Sequence, residues 1–283
     1  MDGGLSITLI SVAMFVGSFL LGFIPLLFRL SARSLHFVSI LGAGFLCGTA
    51  LAITIPEGVG LMQQSWTHHN ASALNKTSRE SSPSPQLYIG VSLTLGFTFM
   101  FVVDQLASYF AMCGQTNPNS DAITATLGLV IHAAADGFAL GAVVATGQVT
   151  VQVIVFLAVI LHKAPAAFGL VAFLIHAGLE KKSIQGHLLA FSAAAPIVAI
   201  ATYFILHATC SSSQNQLSAT GVGMLFSGGT FLFVATVHVL PDIISGNSHS
   251  QPKQQSHLGL KESVTLVLGV GLPVLLAVGL HDD

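Results

Sequence analysis

Charge is what this chain has least of. Of its 283 residues only 7% are Asp, Glu, Lys or Arg, against about 25% in an ordinary soluble domain. A soluble globule of this size cannot cover its surface with so few charges, which excludes a soluble enzyme, a nucleic-acid binder and a disordered scaffold. Lys+Arg 9 against Asp+Glu 11 leaves no basic field for phosphate backbones and no acidic tail. Cysteine is scarce as well. Cys47 lies inside an apolar run, and Cys113 and Cys210 fall near the ends of others on opposite membrane faces, so no disulfide framework follows. A positive leader is also missing: Met1 to Leu5 carries no Lys or Arg. The apolar run after it is too long for a cleaved signal peptide and reads as a retained first span.

What is present is hydrophobic, with 53% apolar residues and a mean hydropathy of +0.80. A bilayer core takes about 20 mostly apolar residues per helix. Eight segments qualify, near 5–29, 35–62, 86–110, 123–147, 149–178, 185–208, 217–244 and 260–280. They are long and continuous without polar alternation, which predicts helices rather than a barrel. The expected fold is an all-α membrane protein of eight transmembrane helices, a single polytopic domain over 1–283. The longest connector, 63–85, is rich in Ser, Thr, Asn and Pro and is expected to be a flexible loop carrying glycosylation sequons at Asn70 and Asn75. Connectors 1–2, 5–6 and 7–8 hold Arg29, Arg33, Lys181, Lys182, Lys253 and Lys261, whereas the sequon-bearing connector holds only Lys76 and Arg79. That bias places the former in the cytoplasm, and both termini and the sequons on the lumenal or extracellular side.

Two pairs of segments resemble each other. Gly44 to Pro56-Glu57 in segment 2 matches Gly229 to Pro241-Asp242 in segment 7, each with a Gly twelve residues before Pro and then an acid. His132, Asp136, Phe138 and Leu140 in segment 4 align with His162, Ala166, Phe168 and Leu170 in segment 5. Segments 2 and 7 run in opposite directions, as do 4 and 5, so the repeat is inverted, a transporter signature.

Ionisable side chains inside hydrocarbon cost about 2.5–3.5 kcal/mol each on insertion scales and mark function. Those here are Glu57, Asp104, His132, Asp136, His162, Lys163, His238 and Asp242. His132 and Asp136 stand at i and i+4, on one helix face and roughly 6 Å apart. With His162 at the matching depth of the next segment they offer N and O donors that suit zinc, with a fourth position left to water. Coordination by imidazole is expected to weaken below about pH 6. Lys163 is rotated about 100° from His162 and points beside the ligand set, where it is expected to pair with Asp104 or another acid. Pro165 follows and removes a backbone donor. Glu57 and Asp242 follow Pro near helix ends, and His238, one turn inside Asp242, is a candidate relay. His68, His69, His249, His257 and His281 in or beside the connectors form only a looser set.

His132-Ala-Ala-Ala-Asp136-Gly137 in segment 4, His162-Lys163-Ala-Pro165 in segment 5 and the Pro-acid endings of segments 2 and 7 resemble the ZIP (Zrt-/Irt-like) zinc transporters. The similarity runs over nearly the whole chain and is nearest to one vertebrate subgroup. It implies eight spans in a 3+2+3 inverted-repeat bundle with external termini, and Zn2+ movement toward the cytosol by alternating access. It also implies a homodimer and residence in the Golgi, trans-Golgi network and plasma membrane, and the subgroup has been described as steroid-responsive receptors. Three departures stand out. Ala133 replaces an Asn of many members, and Lys163 and Ala166 replace an acid and a further ligand, which reduces the usual two-metal centre to one site with Lys163 in place of the second ion's charge. The 2–3 connector also has little His-rich character.

The chain is therefore expected to be a zinc carrier and not an enzyme, with His132, Asp136 and His162 as transport ligands. Zinc is the transported substrate, other divalent metals are candidates, and no cofactor is resident. The partners are the ion, the lipid bilayer and a second copy, without nucleic acid. An intramembrane zinc hydrolase or a zinc-containing receptor is the alternative. The hydrolase calls for ligands near one membrane face with an acid or base beside a bound water, whereas these lie mid-span among Ala and Gly.

Overall fold

Backbone polar groups find no water in hydrocarbon, so each apolar run must close its own hydrogen bonds, and a helix does so. The computed structural model describes residues 3–27, 32–73, 84–113, 120–176, 178–209, 213–239 and 259–281. Among them lie nine α-helices: α1 (Gly3–Leu27), α2 (Ala32–Thr49), α3 (Ile55–Ala73), α4 (Pro85–Cys113), α5 (Ser120–Ala145), α6 (Val149–His176), α7 (Lys181–Ala208), α8 (Ser213–Phe233) and α9 (Leu260–His281). Two π turns interrupt the ladder, Ala50–Thr54 between α2 and α3 and Val234–Val239 after α8. Eight spans are long and apolar enough to cross a membrane, one of them formed jointly by α2, the first π turn and α3 over His36–Thr67. The protein is an all-α, multi-pass membrane protein.

Residues 63–73 differ from the expected loop. α3 runs on to Ala73, so Asn70 sits on its last turn, while Asn75 lies outside the described residues. No Gly or Pro between Gln63 and Ala73 stops the hydrogen-bond ladder. The extension is also held from outside: Trp66 meets Tyr88 of α4 with ring centroids 5.9 Å apart, and the Ser65 and Ser218 hydroxyls share a hydrogen bond to α8.

The helices fall into two packing groups. In one, α5 packs on α7 and α6, and α1 on α6 and α7. In the other, α2 packs on α9, and α3 and α4 on α8. The main packings that join the groups are α5 on α8 and α2 on α6. Exchanging α1 with α7, α2 with α8, α4 with α9 and α5 with α6 turns this scheme, α3 apart, into itself: α5 on α7 becomes α6 on α1, α2 on α9 becomes α8 on α4, and α2 on α6 becomes α8 on α5. The first three spans thus correspond to the last three, with α5 and α6 between them. Corresponding spans are an odd number apart, so the repeat is inverted.

Details obey the same relation. Gly44 of α2 lies against the α9 backbone, with Gly269 Cα 3.0 Å from where its Cβ would stand, and its equivalent Gly229 of α8 lies against the α4 backbone at Leu93 and Phe97. Backbones this close require the missing side chain. Each π turn ends two residues before a Pro-acid pair, Pro56-Glu57 or Pro241-Asp242. In the first, Ile55 N–H donates to the Ala50 carbonyl five residues back, a register change beside the N–H that proline lacks. α5 and α8 are the most enclosed spans, 67% and 72% buried, and α4 and α9 the least, at 17% and 12%. The α5–α8 seam is therefore the position best screened from lipid.

Candidate metal centre

α5 carries His132 and Asp136 one turn apart, and α6 carries His162 across from them. All three are buried, and one donor atom from each lies within 4.8 Å of the others. His162 Nε2 is 2.9 Å from Asp136 Oδ2, and His132 Nε2 is 3.4 Å from the same oxygen. The two imidazoles face each other with ring centroids 5.5 Å apart. His132 Nε2 and His162 Nδ1 have no hydrogen-bond partner among the described residues. Buried polar atoms are normally satisfied, so an orphan nitrogen among converging donors fits an ion-binding role. Gly137 and Gly141 bring the α5 backbone onto the Ala195 and Ala199 carbonyls of α7. That contact fixes the face that α5 turns toward α6 and α8.

The third wall comes from α8 through Ser227, Thr230 and Phe231, none of which the sequence reading singled out. Ser227 Oγ donates to Asp136 Oδ1, and Thr230 Oγ1 lies 3.0 Å from His132 Nδ1. The Phe231 ring stacks on His132 at 4.4 Å with a 13° interplanar angle and tilts against His162 at 5.1 Å. The i, i+3, i+4 spacing was visible in the sequence. Nothing there separated these hydroxyls from those of Ser and Thr that bond only their own helix, as Thr220 does to the Gln216 carbonyl.

Lys163 is also buried and stands beside the cluster, as the helical rotation predicts. Its partner is not an acid on α4. Lys163 Nζ donates to the Phe191 carbonyl of α7 at 3.3 Å and sits 4.1 Å from the centre of the Phe191 ring. Asp104 instead lies half-buried on α4, with the Gln105 amide 3.5 Å from its carboxylate. The reason is topological: α4 packs on α8, while α6 turns its Lys163 face toward α7. Glu57 is half-buried in the first turn of α3, directly after the first π turn, and is not one of the three grouped donors. His238 falls on the second π turn, but its side chain and the whole of Asp242 lie outside the described residues, as do the side chains of His68, His69, His249, His257 and His281.

Eight apolar spans arranged as an inverted repeat, with an ion-sized group of two imidazoles and a carboxylate enclosed at the centre, define a polytopic membrane transporter. The sequence profile described as ZIP Zinc transporter matches residues 4–122 and 113–277. Zinc transporter ZIP9-A of Xenopus laevis is 48% identical over 302 residues, covering 99% of both chains. Zinc transporter ZIP9 of Micropogonias undulatus is 47% identical over 309 residues, covering 99% of this chain and 100% of the relative. A more distant similarity, 27% over 159 residues and 55% of this chain, is to Zinc transporter zipt-7.2 of Caenorhabditis elegans. The chain belongs to the ZIP zinc transporter family, a family of transporters and not of enzymes, which sets the hydrolase alternative aside.

Proposed function

We propose that the protein moves Zn2+ from the lumen or cell exterior into the cytosol by alternating access, binding it through His132, Asp136 and His162. The observation that carries this reading is the convergence of three donors from two spans within 4.8 Å, in an enclosed position with an unpartnered His132 Nε2. Two imidazoles and one carboxylate match the borderline character of zinc, and a fourth position is left for water or a passing donor.

The charge balance suits a carrier. Asp136 neutralises only half the charge of a divalent ion, and the buried Lys163 ammonium beside it takes the place a second cation would occupy. A site so poorly compensated holds one ion weakly enough to let it go. Other divalent ions with similar ligand preferences are competing substrates. The charge bias of the connectors supports lumenal or external termini, and the resemblance supports a homodimer in Golgi and plasma membranes, with 1–283 as one polytopic unit.

Radioactive zinc uptake into proteoliposomes tests the assignment. His132→Ala and Asp136→Ala are each expected to abolish uptake at normal protein abundance. Undiminished flux in both would remove the ligand assignment.

A further inference from the structure

The hydroxyls of α8 reach the metal centre with acceptors other than His132 at hand. Thr230 Oγ1 donates to the Ser227 carbonyl at 2.7 Å, and Ser227 Oγ donates to Asp136 Oδ1. A hydroxyl has one proton to give. With its proton on Asp136, Ser227 Oγ can only accept from His132 Nδ1, 3.4 Å away; Thr230 Oγ1, 3.0 Å from the same nitrogen, accepts as well when its proton goes to the Ser227 carbonyl. With both protons so placed, Nδ1 carries the hydrogen and the neutral ring is left with a bare lone pair at Nε2. That is the atom without a hydrogen-bond partner, 3.4 Å from Asp136 Oδ2. The Ser227 donation thus favours this tautomer, and the Thr230 geometry accommodates it.

We propose that Thr230 and Ser227 are positioning residues for the transported ion: together they lock His132 with Nε2 as its donor and occupy Asp136 Oδ1, so that Nε2 and Oδ2 face the ion side by side. The inference rests on the ligand reading given above. Hydrogen bonds behind a metal ligand fix the ring's tautomer and orientation and raise its basicity. Ser227 also leaves Asp136 only Oδ2, the oxygen that lies 2.9 Å from His162 Nε2, which favours one-point attachment of the ion.

The location of these residues adds a consequence. All three ligands belong to the packing group of α1, α5, α6 and α7, whereas Thr230 and Ser227 belong to the group of α2, α3, α4, α8 and α9. The site is complete only while α8 keeps its register against α5. A slide of one residue rise, about 1.5 Å, breaks the 3.0 Å contact between Thr230 and His132 and leaves the Nδ1 hydrogen without an acceptor. Movement of one group past the other therefore loosens the hold on the ion.

The test is zinc uptake by proteoliposomes carrying Thr230→Val, which keeps the side chain's shape and removes the acceptor. The half-saturating zinc concentration is expected to rise by about 10- to 100-fold, the usual effect of losing a group behind a metal ligand, with the maximal rate retained. Thr230→Ser restores the hydroxyl and is expected to return the half-saturation close to its original value, which a purely structural role would not require. Ser227→Ala removes the donor to Asp136 without adding bulk; it is read the same way and decides the matter if Thr230→Val does not reach the membrane. Unchanged half-saturation in Thr230→Val, or a loss that Thr230→Ser does not restore, overturns the proposal. His132→Ala is run alongside. Undiminished uptake there defeats the ligand reading itself, whereas abolished uptake there with unaltered half-saturation in Thr230→Val defeats only the positioning role.

Discussion

One methyl group added at Gly137 tests whether the close approach of α5 and α7 sets the geometry of the metal centre. A Cβ there would lie 2.9 Å from Ala195 Cα and 3.0 Å from Ala195 C, and nearer still to the Ala195 carbonyl oxygen. Non-bonded carbons settle at about 3.5–4.0 Å, so the helices must part by roughly 0.5–1 Å. The obstructing atoms are backbone, and no rotamer change makes room. Over-packing of this kind costs about 1–3 kcal/mol. Gly137 adjoins Asp136, so the shift displaces the carboxylate relative to His162, now 2.9 Å distant. Metal–ligand distances tolerate only about ±0.2 Å, and a misplacement of about 1 Å can cost on the order of 100-fold in rate. Gly137→Ala is expected to lower the thermal midpoint of the detergent-purified protein and to cut zinc uptake on the order of tenfold or more, toward that limit. Gly169→Ala on α6 is the control, because a Cβ there meets nothing within 4 Å. Helix propensity alone then predicts a neutral change or a gain of up to about 1 kcal/mol. Equal melting and equal transport by the two variants would refute the packing argument.

Lys163→Met, which removes the buried cation beside the site, is expected to lower the half-saturating zinc concentration in proteoliposome uptake; a rise at normal abundance would show that the ammonium does not repel the ion. Phe231→Ala, which strips the ring stacked 4.4 Å from His132, is expected to raise the half-saturating concentration and to lower the thermal midpoint, and a variant indistinguishable in both would mean that the ring does not brace the imidazoles. Asn70 lies three residues beyond Thr67, the end of its span. Asn75→Gln is therefore expected to abolish the gel-mobility shift on enzymatic deglycosylation, and Asn70→Gln to leave it intact.

The all-helical membrane fold was legible because hydrocarbon imposes one requirement on every span, and eight uninterrupted apolar runs meet it. His132, Asp136 and His162 could be singled out because an ionisable group in such a run stands against an apolar background. Lys163 marks the limit of that reasoning. Its charge called for a partner, yet Phe191 supplies a carbonyl and a π face, and neither registers as charge in a sequence. The α8 wall was hidden for a different cause. Ser227 and Thr230 become neighbours of His132 and Asp136 only through the register of α8 against α5, which is set by glycines and bulky side chains along the whole seam. The Pro-acid pairs at Pro56 and Pro241 announced a local departure from the α-helix, but not that it would be a π turn.

The inverted repeat also bears on why a nearly two-fold scaffold shows one candidate metal group among the described residues. Under the exchange of α5 with α6 and α2 with α8, His132 corresponds to His162. Asp136 corresponds to Ala166, however, and Ser227, Thr230 and Phe231 of α8 correspond to Gly42, Phe45 and Leu46 of α2. The α5–α8 seam therefore brings a carboxylate and two hydroxyls where the related α6–α2 seam brings a methyl group and hydrocarbon. An ion at the related position would shed its water with nothing to offset the cost, and the Lys163 ammonium on α6, standing where α5 has Ala133, would repel it. The scaffold keeps its symmetry because backbone packing needs only small residues at the crossings, as Gly44 and Gly229 show. Chemistry breaks it, and leaves the donor cluster against α8, which among the described residues contacts both His132 and Asp136 through its hydroxyls.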